Sequence, residues 1–311
     1  MEDLALIIST TLMYSTPLIF AALGGVFSEN SGIVNIGLEG MMTIGAFSAA
    51  AAGVLIGNPW IAFLIGGLAG GLFALIHAFA TITCNADHTI SGVAINLLAP
   101  GVALFTSKIM FDGATMTPTI PMENKIPRPL HGLFETGSIL DTIFNSYATV
   151  FLAFILVAVV YYVLYKTKFG LRVRAVGEHP GAADTLGISV AKTRYAAVII
   201  SGILAGLGGA SMSLAVVSSF RPTLISGQGY IALAAVIFGK WRPQWAMVAC
   251  LLFGFSTALS VFFGNPSLPF SINENLLSMI PYVVTLIVLV IFVKSSKAPA
   301  ALGNPYKKGE R

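Results

Sequence analysis

Charged side chains are scarce here: Asp, Glu, Lys and Arg make up 10% of 311 residues, against roughly a quarter in soluble domains. With 56% of residues hydrophobic and a mean hydropathy of +0.86, a soluble globular fold is excluded, since no soluble core absorbs that surplus. Cysteine is almost as scarce. Cys84 and Cys250 stand far apart without metal-ligand spacing, so they indicate no redox or metal chemistry and read as small, buried, inert thiols. A Gly-x-x-x-x-Gly-Lys-Ser/Thr phosphate loop is also missing, so the chain is not itself an ATPase. Glu2 and Asp3 stand where a secretory signal would carry basic residues, so the first apolar run is expected to be retained.

What is present is apolar sequence in long runs. The intervals between successive charged residues are 25 residues after Asp3, 47 after Glu39, 20 after Asp87, 24 after Asp141, 26 after Arg194 and 31 after Arg242. A helix crosses a bilayer with ~20 apolar residues. The 47-residue interval is broken near its middle by Gly57-Asn58-Pro59 and holds two spans. Nine spans are predicted, at 4–27, 40–57, 60–83, 89–107, 147–165, 195–218, 229–239, 245–264 and 280–293. Barrel strands would need only ~9–11 residues of alternating polarity, so the class is all-α, a polytopic transmembrane helix bundle of eight to ten spans. The segment 229–239 is too short to cross as one straight helix and reads, with Arg221–Gln228, as a broken or re-entrant element.

Basic residues orient the bundle. The 166–194 loop carries Lys166, Lys168, Arg172, Arg174, Lys192 and Arg194 against two acids, and the 296–311 tail with its approach carries Lys294, Lys297, Lys307, Lys308 and Arg311. Both are expected to be cytoplasmic. The 108–146 loop, with four acids against three bases, suits the outside. These assignments alternate correctly, with the N-terminus outside, only if 229–239 crosses in some form. The pI of 9.1 follows from this orientation and calls for no nucleic-acid partner. The whole chain, 1–311, is one transmembrane domain, divided into a first half at 1–146, the loop 166–194, a second half at 195–295 and the tail.

Glu39-Gly40-Met41-Met42-Thr43-Ile44-Gly45-Ala46 can be laid against Gln228-Gly229-Tyr230-Ile231-Ala232-Leu233-Ala234-Ala235. The two copies run in opposite directions on this topology, which is the pattern of an inverted repeat with the solute path at its interface. Chance similarity between helices of small residues is the alternative. Upstream, Ser28-Glu29-Asn30-Ser31-Gly32-Ile33-Val34-Asn35-Ile36-Gly37-Leu38-Glu39-Gly40 is too polar and too glycine-rich for an ordinary turn. Glu39 opens an apolar run, where an ionised carboxylate needs a partner or water. It is either a polar element beside the translocation path or a helix N-terminal stabiliser. Asn35, Gly37, Glu39, Gly40, Gln228, Gly229 and Tyr230 are the candidate path residues.

In the basic loop, Pro180 fits the first turn of a short helix, Ala182 and Ala183 favour it, and Gly187 ends it. Such a helix, outside the membrane and about two turns long, suits docking of a cytoplasmic partner.

Asn35-Ile36-Gly37-Leu38-Glu39-Gly40-Met41-Met42, then Phe169-Gly170-Leu171-Arg172 with Arg174-Ala175-Val176-Gly177, then Ala182-Ala183 and Leu186-Gly187-Ile188 resemble the inner-membrane permeases of ABC importers. The branch is that of ribose, galactose, branched-chain amino acid and nucleoside permeases, and the chain is most similar there to the smaller permease of nucleoside or simple-sugar systems. The resemblance runs from about 15 to 295. It implies that 178–190 is a coupling helix, with Glu178, His179, Pro180, Ala182, Ala183, Asp184, Leu186 and Gly187 as its docking residues. It also implies a second permease, as heterodimer or homodimer, a partner ATPase with two nucleotide-binding domains that holds ATP and Mg, and an external solute-binding lipoprotein. The cell membrane is the implied location. No cofactor and no catalytic or metal residue is expected on this chain.

Other readings remain open at this level. A ribose- or galactose-type solute fits the same pattern. An ion-coupled secondary transporter would use Glu39 and His77 as proton or ion sites, and a non-transporting scaffold would leave the broken segments without purpose. Asp87-His88 resemble a metal pair but fit a solvated turn. Phe220, Tyr230, Trp241, Trp245 and Phe270 could stack on a planar base or serve as belt and packing residues. The small residues of Gly202–Gly209 suit close helix packing.

Overall fold

The computed structural model describes residues 2–135, 138–264, 274–292 and 297–307. Phe270, Lys294, Lys308 and Arg311 lie outside the described residues, as does Ser296, the first residue of the tail. Twelve α-helices are formed there, and no strand is present among the described residues. They are α1 (Glu2–Asn30), α2 (Leu38–Ile56), α3 (Pro59–Ala78), α4 (His88–Met110), α5 (Ile139–Phe144), α6 (Ala148–Lys166), α7 (Lys168–Glu178), α8 (Pro180–Thr185), α9 (Val190–Ser211), α10 (Gln228–Phe238), α11 (Pro243–Phe263) and α12 (Glu274–Phe292). One-turn π-helices at Phe79–Thr83 and Met212–Val216 prolong α3 and α9.

Among the described residues, seven helices are long and apolar enough to cross a membrane: α1, α2, α3, α4, α6, α9 and α11. The expected count of nine is therefore not reached by length and composition. The seventh expected span is the 11-residue α10, whose rise of about 16 Å is half of a ~30 Å hydrocarbon layer. The ninth, expected at 280–293, starts earlier in the structure, at Glu274.

Glycine sets how closely the central helices approach. α3 and α9 pack backbone to backbone: a Cβ on Gly70 would overlap the Gly202 carbonyl, and one on Gly206 would overlap the Gly66 carbonyl. Small residues four apart allow this approach where lipid supplies no hydrophobic push between helices. α2 crosses the same helix, with Gly45 against Gly206 and Gly209 against the Met42 carbonyl. α9, 78% buried over its apolar window, is the axis of the bundle. α4 and α6, at 28% and 33% buried, lie on its outside.

Two ends of the bundle are distinct. At the basic end, α7, α8, the start of α9 and residues 297–307 meet the C-terminus of α1: Ala301 N–H donates to Gly177 O (2.8 Å) and Gly303 N–H to Gly32 O (3.0 Å). At the other end, the 108–146 loop covers the exit of α9, with Thr117 N–H donating to Phe220 O (3.1 Å) and Ile120 N–H to Ser218 O (2.8 Å). Asn124 of the same loop donates from Nδ2 to Gly53 O near the end of α2 (3.1 Å). Asn30 Nδ2 donates to Trp241 O (3.1 Å) just beyond α10. Residues 218–241 therefore run from one end of the bundle to the other, part as irregular chain and part as α10.

Candidate functional site

α2 and α10, whose first residues carry the two echoing segments, begin side by side and diverge, α2 toward Gly53 and the 108–146 loop, α10 toward Trp241 and the basic end. Their meeting point lies about 12 Å along α4 from His88, at Asn96, well inside the bundle. A helix that starts there presents backbone N–H groups that need partners. Gly227, the residue before α10, has φ 92° and no side chain with which to cap it. Glu39 supplies the cap from α2: its Oε1 accepts from Gly227 N (2.6 Å) and its Oε2 from Gly229 N (2.7 Å). A Cβ on Gly229 would overlap the Glu39 backbone, so this approach requires glycine. Glu39 is thus a helix N-terminal stabiliser, of α10 rather than of its own helix.

Asn96 ties the point together. Its Oδ1 accepts from Gly40 N (2.8 Å), and its Nδ2 donates to Ile36 O (3.0 Å) and to the Tyr230 hydroxyl (2.9 Å). Glu39 and Asn96 are half-buried and Tyr230 is 47% exposed. The surrounding α4 surface is apolar, with Ile90, Val93, Leu97 and Leu98 exposed. Of the other candidate path residues, Gly37 packs against the Ile95 side chain. Asn35 is fully buried, donating from Nδ2 to Ser201 Oγ (2.9 Å). Gln228 turns its amide toward Met212 rather than toward Glu39.

His77 is fully buried, with Nε2 on Val34 O (3.1 Å) and Nδ1 on Ser91 Oγ (2.8 Å). A carbonyl only accepts, so Nε2 carries the proton and Nδ1 accepts from the serine hydroxyl. It has no hydrogen bond to Glu39. Asp87 caps α4 through Ile90 N (2.9 Å) and His88 Nδ1 accepts from Val34 N (3.3 Å). No group of three metal-ligating side chains occurs among the described residues. Phe220 packs edge-on against Phe47, Trp245 is exposed, and Trp241 is buried, donating from Nε1 to Glu29. Cys250 is buried, but Cys84, expected to be buried, is exposed beyond the π-turn that ends α3.

The basic loop folds as two helices, not one. α7 ends at Glu178, and α8 is six residues, shorter than the expected two turns. His179 caps α8 by accepting from Ala182 N at Nδ1 (3.2 Å), Pro180 fills the first turn, and Gly187 turns the chain with φ 79°. Its outward face shows Ala182 and Leu186, the latter 81% exposed. Ala183, expected among the docking residues, faces inward against Val176 and Val190 and supports the helix instead. Glu178 accepts from Ala300 N (3.3 Å), and Asp184 is hydrogen-bonded to Tyr306. Partial burial first, then the bond to Asp184 and its charge, raise the Tyr306 phenol above its ordinary value.

Two residues were not singled out from the sequence. Asn96 had a signal, an amide in the middle of an apolar helix. Arg194 was counted only as a basic loop residue, yet it is 2% exposed, donating from Nε to Ser31 O (3.1 Å) and from Nη1 to Asn304 O (3.3 Å). Nothing local in the sequence distinguishes it from Lys192.

Comparison with known proteins matches residues 7–291 to the family described as branched-chain amino acid transport system / permease component. The chain is 47% identical to the guanosine ABC transporter permease protein NupQ of Bacillus subtilis, over 100% of this chain and 99% of the relative. It is 43% identical to the nucleoside ABC transporter permease protein NupC of Lactococcus lactis, over 99% of each. It is 34% identical to the putative glucose ABC transporter permease protein TsgC13 of Haloferax volcanii, over 97% of each. The first two organisms each have a second, longer permease named for the same solute, NupP and NupB, 24% identical to this chain. These relatives are permease subunits that occur in pairs.

Proposed function

We propose a mechanism from one premise: this chain belongs to the family of branched-chain amino acid transport system permease components. It is one of two permease subunits of an ATP-binding-cassette importer, a multi-pass membrane protein that moves a nucleoside into the cell by alternating access. Full-length likeness to NupQ and NupC supports the solute class, and the weaker likeness to TsgC13 makes a sugar the less favoured solute. The ATP and Mg sit on a partner ATPase with two nucleotide-binding domains, and an external solute-binding protein delivers the solute. The N-terminus is outside and the tail is cytoplasmic.

One observation carries the path. Glu39, Asn96 and Tyr230 form a half-exposed polar cluster on an apolar flank, deep in the bundle. A carboxylate and an amide left facing lipid would each cost several kcal/mol. This flank therefore faces the second permease and a wet path between the two. The Tyr230 ring offers a face for a planar base, its hydroxyl accepts from Asn96 and keeps its own proton to donate, and Asn96 Oδ1 keeps one lone pair. ATPase closure acts on α8 through Leu186 and reaches the path by way of α7, whose Gly177 rests on the Asn30 carbonyl, and the 28–39 segment. An ion-coupled mechanism finds less support, because His77 is fully buried with both ring nitrogens engaged on Val34 and Ser91 and has no hydrogen bond to Glu39.

The test uses the whole complex in proteoliposomes. With Cys84 replaced by serine, Tyr230→Cys is expected to react with a membrane-impermeant maleimide, and nucleoside is expected to slow the reaction. A Tyr230→Cys that stays unlabelled in every nucleotide state refutes the path. Leu186→Asp is expected to abolish ATP-driven uptake while leaving the melting temperature of the subunit unchanged. Full uptake by that variant would remove α8 from coupling.

A further inference from the structure

A helix that begins deep in a membrane bundle presents unpaired N–H groups and the positive end of its dipole, and transporters use such ends to hold anionic groups of a solute. α10 has this geometry: 11 residues long, its N–H groups at the meeting point with α2, and no capping side chain of its own. The seat is already filled, however. Both oxygens of Glu39, 188 and 190 residues away in sequence, lie on Gly227 and Gly229 N–H. Arg221 and Lys240, before and after α10, and Lys108, in the last turn of α4, are all exposed. A helix end carries about half a positive charge. α2 begins beside it, so the two helix ends together carry about one positive charge, which the one carboxylate of Glu39 cancels, leaving no net attraction for an anion.

We infer that Glu39 determines charge specificity: its carboxylate occupies the anion seat at the start of α10, so the path accepts uncharged nucleosides and turns away their phosphorylated forms. This rests on the reading that the path passes the Glu39–Asn96–Tyr230 cluster. A phosphate monoester, with about −1.5 to −2 charges at neutral pH, meets a like charge there, and its donors are taken. A neutral nucleoside meets the Tyr230 ring and hydroxyl and the remaining lone pair of Asn96 Oδ1. Without Glu39, two N–H groups and an uncompensated dipole are open to whatever anion fits.

The experiment measures uptake of labelled nucleoside by the complete complex in proteoliposomes, with formate or an unlabelled nucleoside monophosphate added. Wild-type uptake is expected to respond to neither. Glu39→Ala is expected to lower uptake by about tenfold or more, through loss of two charge-assisted hydrogen bonds. Formate, a free carboxylate small enough for the seat, then restores several-fold, while the monophosphate inhibits. Glu39→Gln fills the same space without charge and is expected to be low and deaf to formate. An assembled Glu39→Ala complex that responds to neither anion overturns the proposal. If that variant fails to assemble, Glu39→Ser, small and uncharged like alanine, is scored in the same way. Labelling of Tyr230→Cys together with anion-insensitive Glu39→Ala refutes the charge filter and leaves the path. Anion rescue with an unlabelled Tyr230→Cys refutes the path and reduces Glu39 to a structural cap.

Discussion

Two of the polar clusters in this apolar protein are built from opposite charges. At the junction of α2 and α10 an anion, Glu39, sits on backbone donors; at the basic end a cation, Arg194, sits among backbone acceptors, the carbonyls of Ser31 and Asn304. The difference in exposure separates their roles. Arg194 is closed in by the 28–39 segment, α9 and the tail, so its charge serves to hold three chain segments together. Glu39, Asn96 and Tyr230 are partly open, as the proposed path requires. In a bundle with no hydrophobic force between its helices, buried polar pairs fix geometry.

Substitutions can break this contrast, beginning with the most costly. Arg194→Ala leaves the Ser31 and Asn304 carbonyls without donors and opens a void, an expected loss of about 3 kcal/mol, measured by thermal unfolding in detergent, with the tail becoming sensitive to protease. Gly229→Ala drives a methyl group into the Glu39 backbone, an expected cost of about 2 kcal/mol, and uptake should fall although no solute contact is touched. Asn96→Leu removes three hydrogen bonds at once, leaving Gly40 N–H unpaired, for about 1–3 kcal/mol; here loss of uptake should exceed loss of stability. Tyr230→Phe removes one half-exposed bond, worth about 1 kcal/mol at most. It should leave the melting temperature unchanged and weaken uptake modestly, since the ring remains. Equal effects of Arg194→Ala and Tyr230→Phe on unfolding would erase the distinction between the clusters.

Most of the helices were legible because their signal is composition over some 20 residues, which packing does not alter. The polar 28–40 stretch was legible as unusual, and Glu39 as a residue in need of a partner. Its partner was not, because Gly227 and Gly229 lie 188 and 190 residues away and donate through backbone atoms that every sequence possesses. The short helix α8 was readable from Pro180 and Gly187, but which alanine faces outward was not. Over a six-residue helix, one residue of phase decides between Ala182, exposed, and Ala183, packed on Val176 and Val190. Cys84 and Arg194 exchanged their expected burial for the same reason: each sits at the end of a membrane helix, where neighbouring segments decide what is covered.

By itself, then, the sequence determined that this protein is a helical membrane bundle with a broken element near 228, because hydropathy and glycine act locally and survive any arrangement of helices. Only the tertiary structure decided that α10 begins where α2 begins, that Glu39 and not a solute caps it, and that the tail and Arg194 tie the basic end together. Those facts depend on backbone N–H and C=O groups meeting across the whole chain, and backbone groups leave no mark in a sequence.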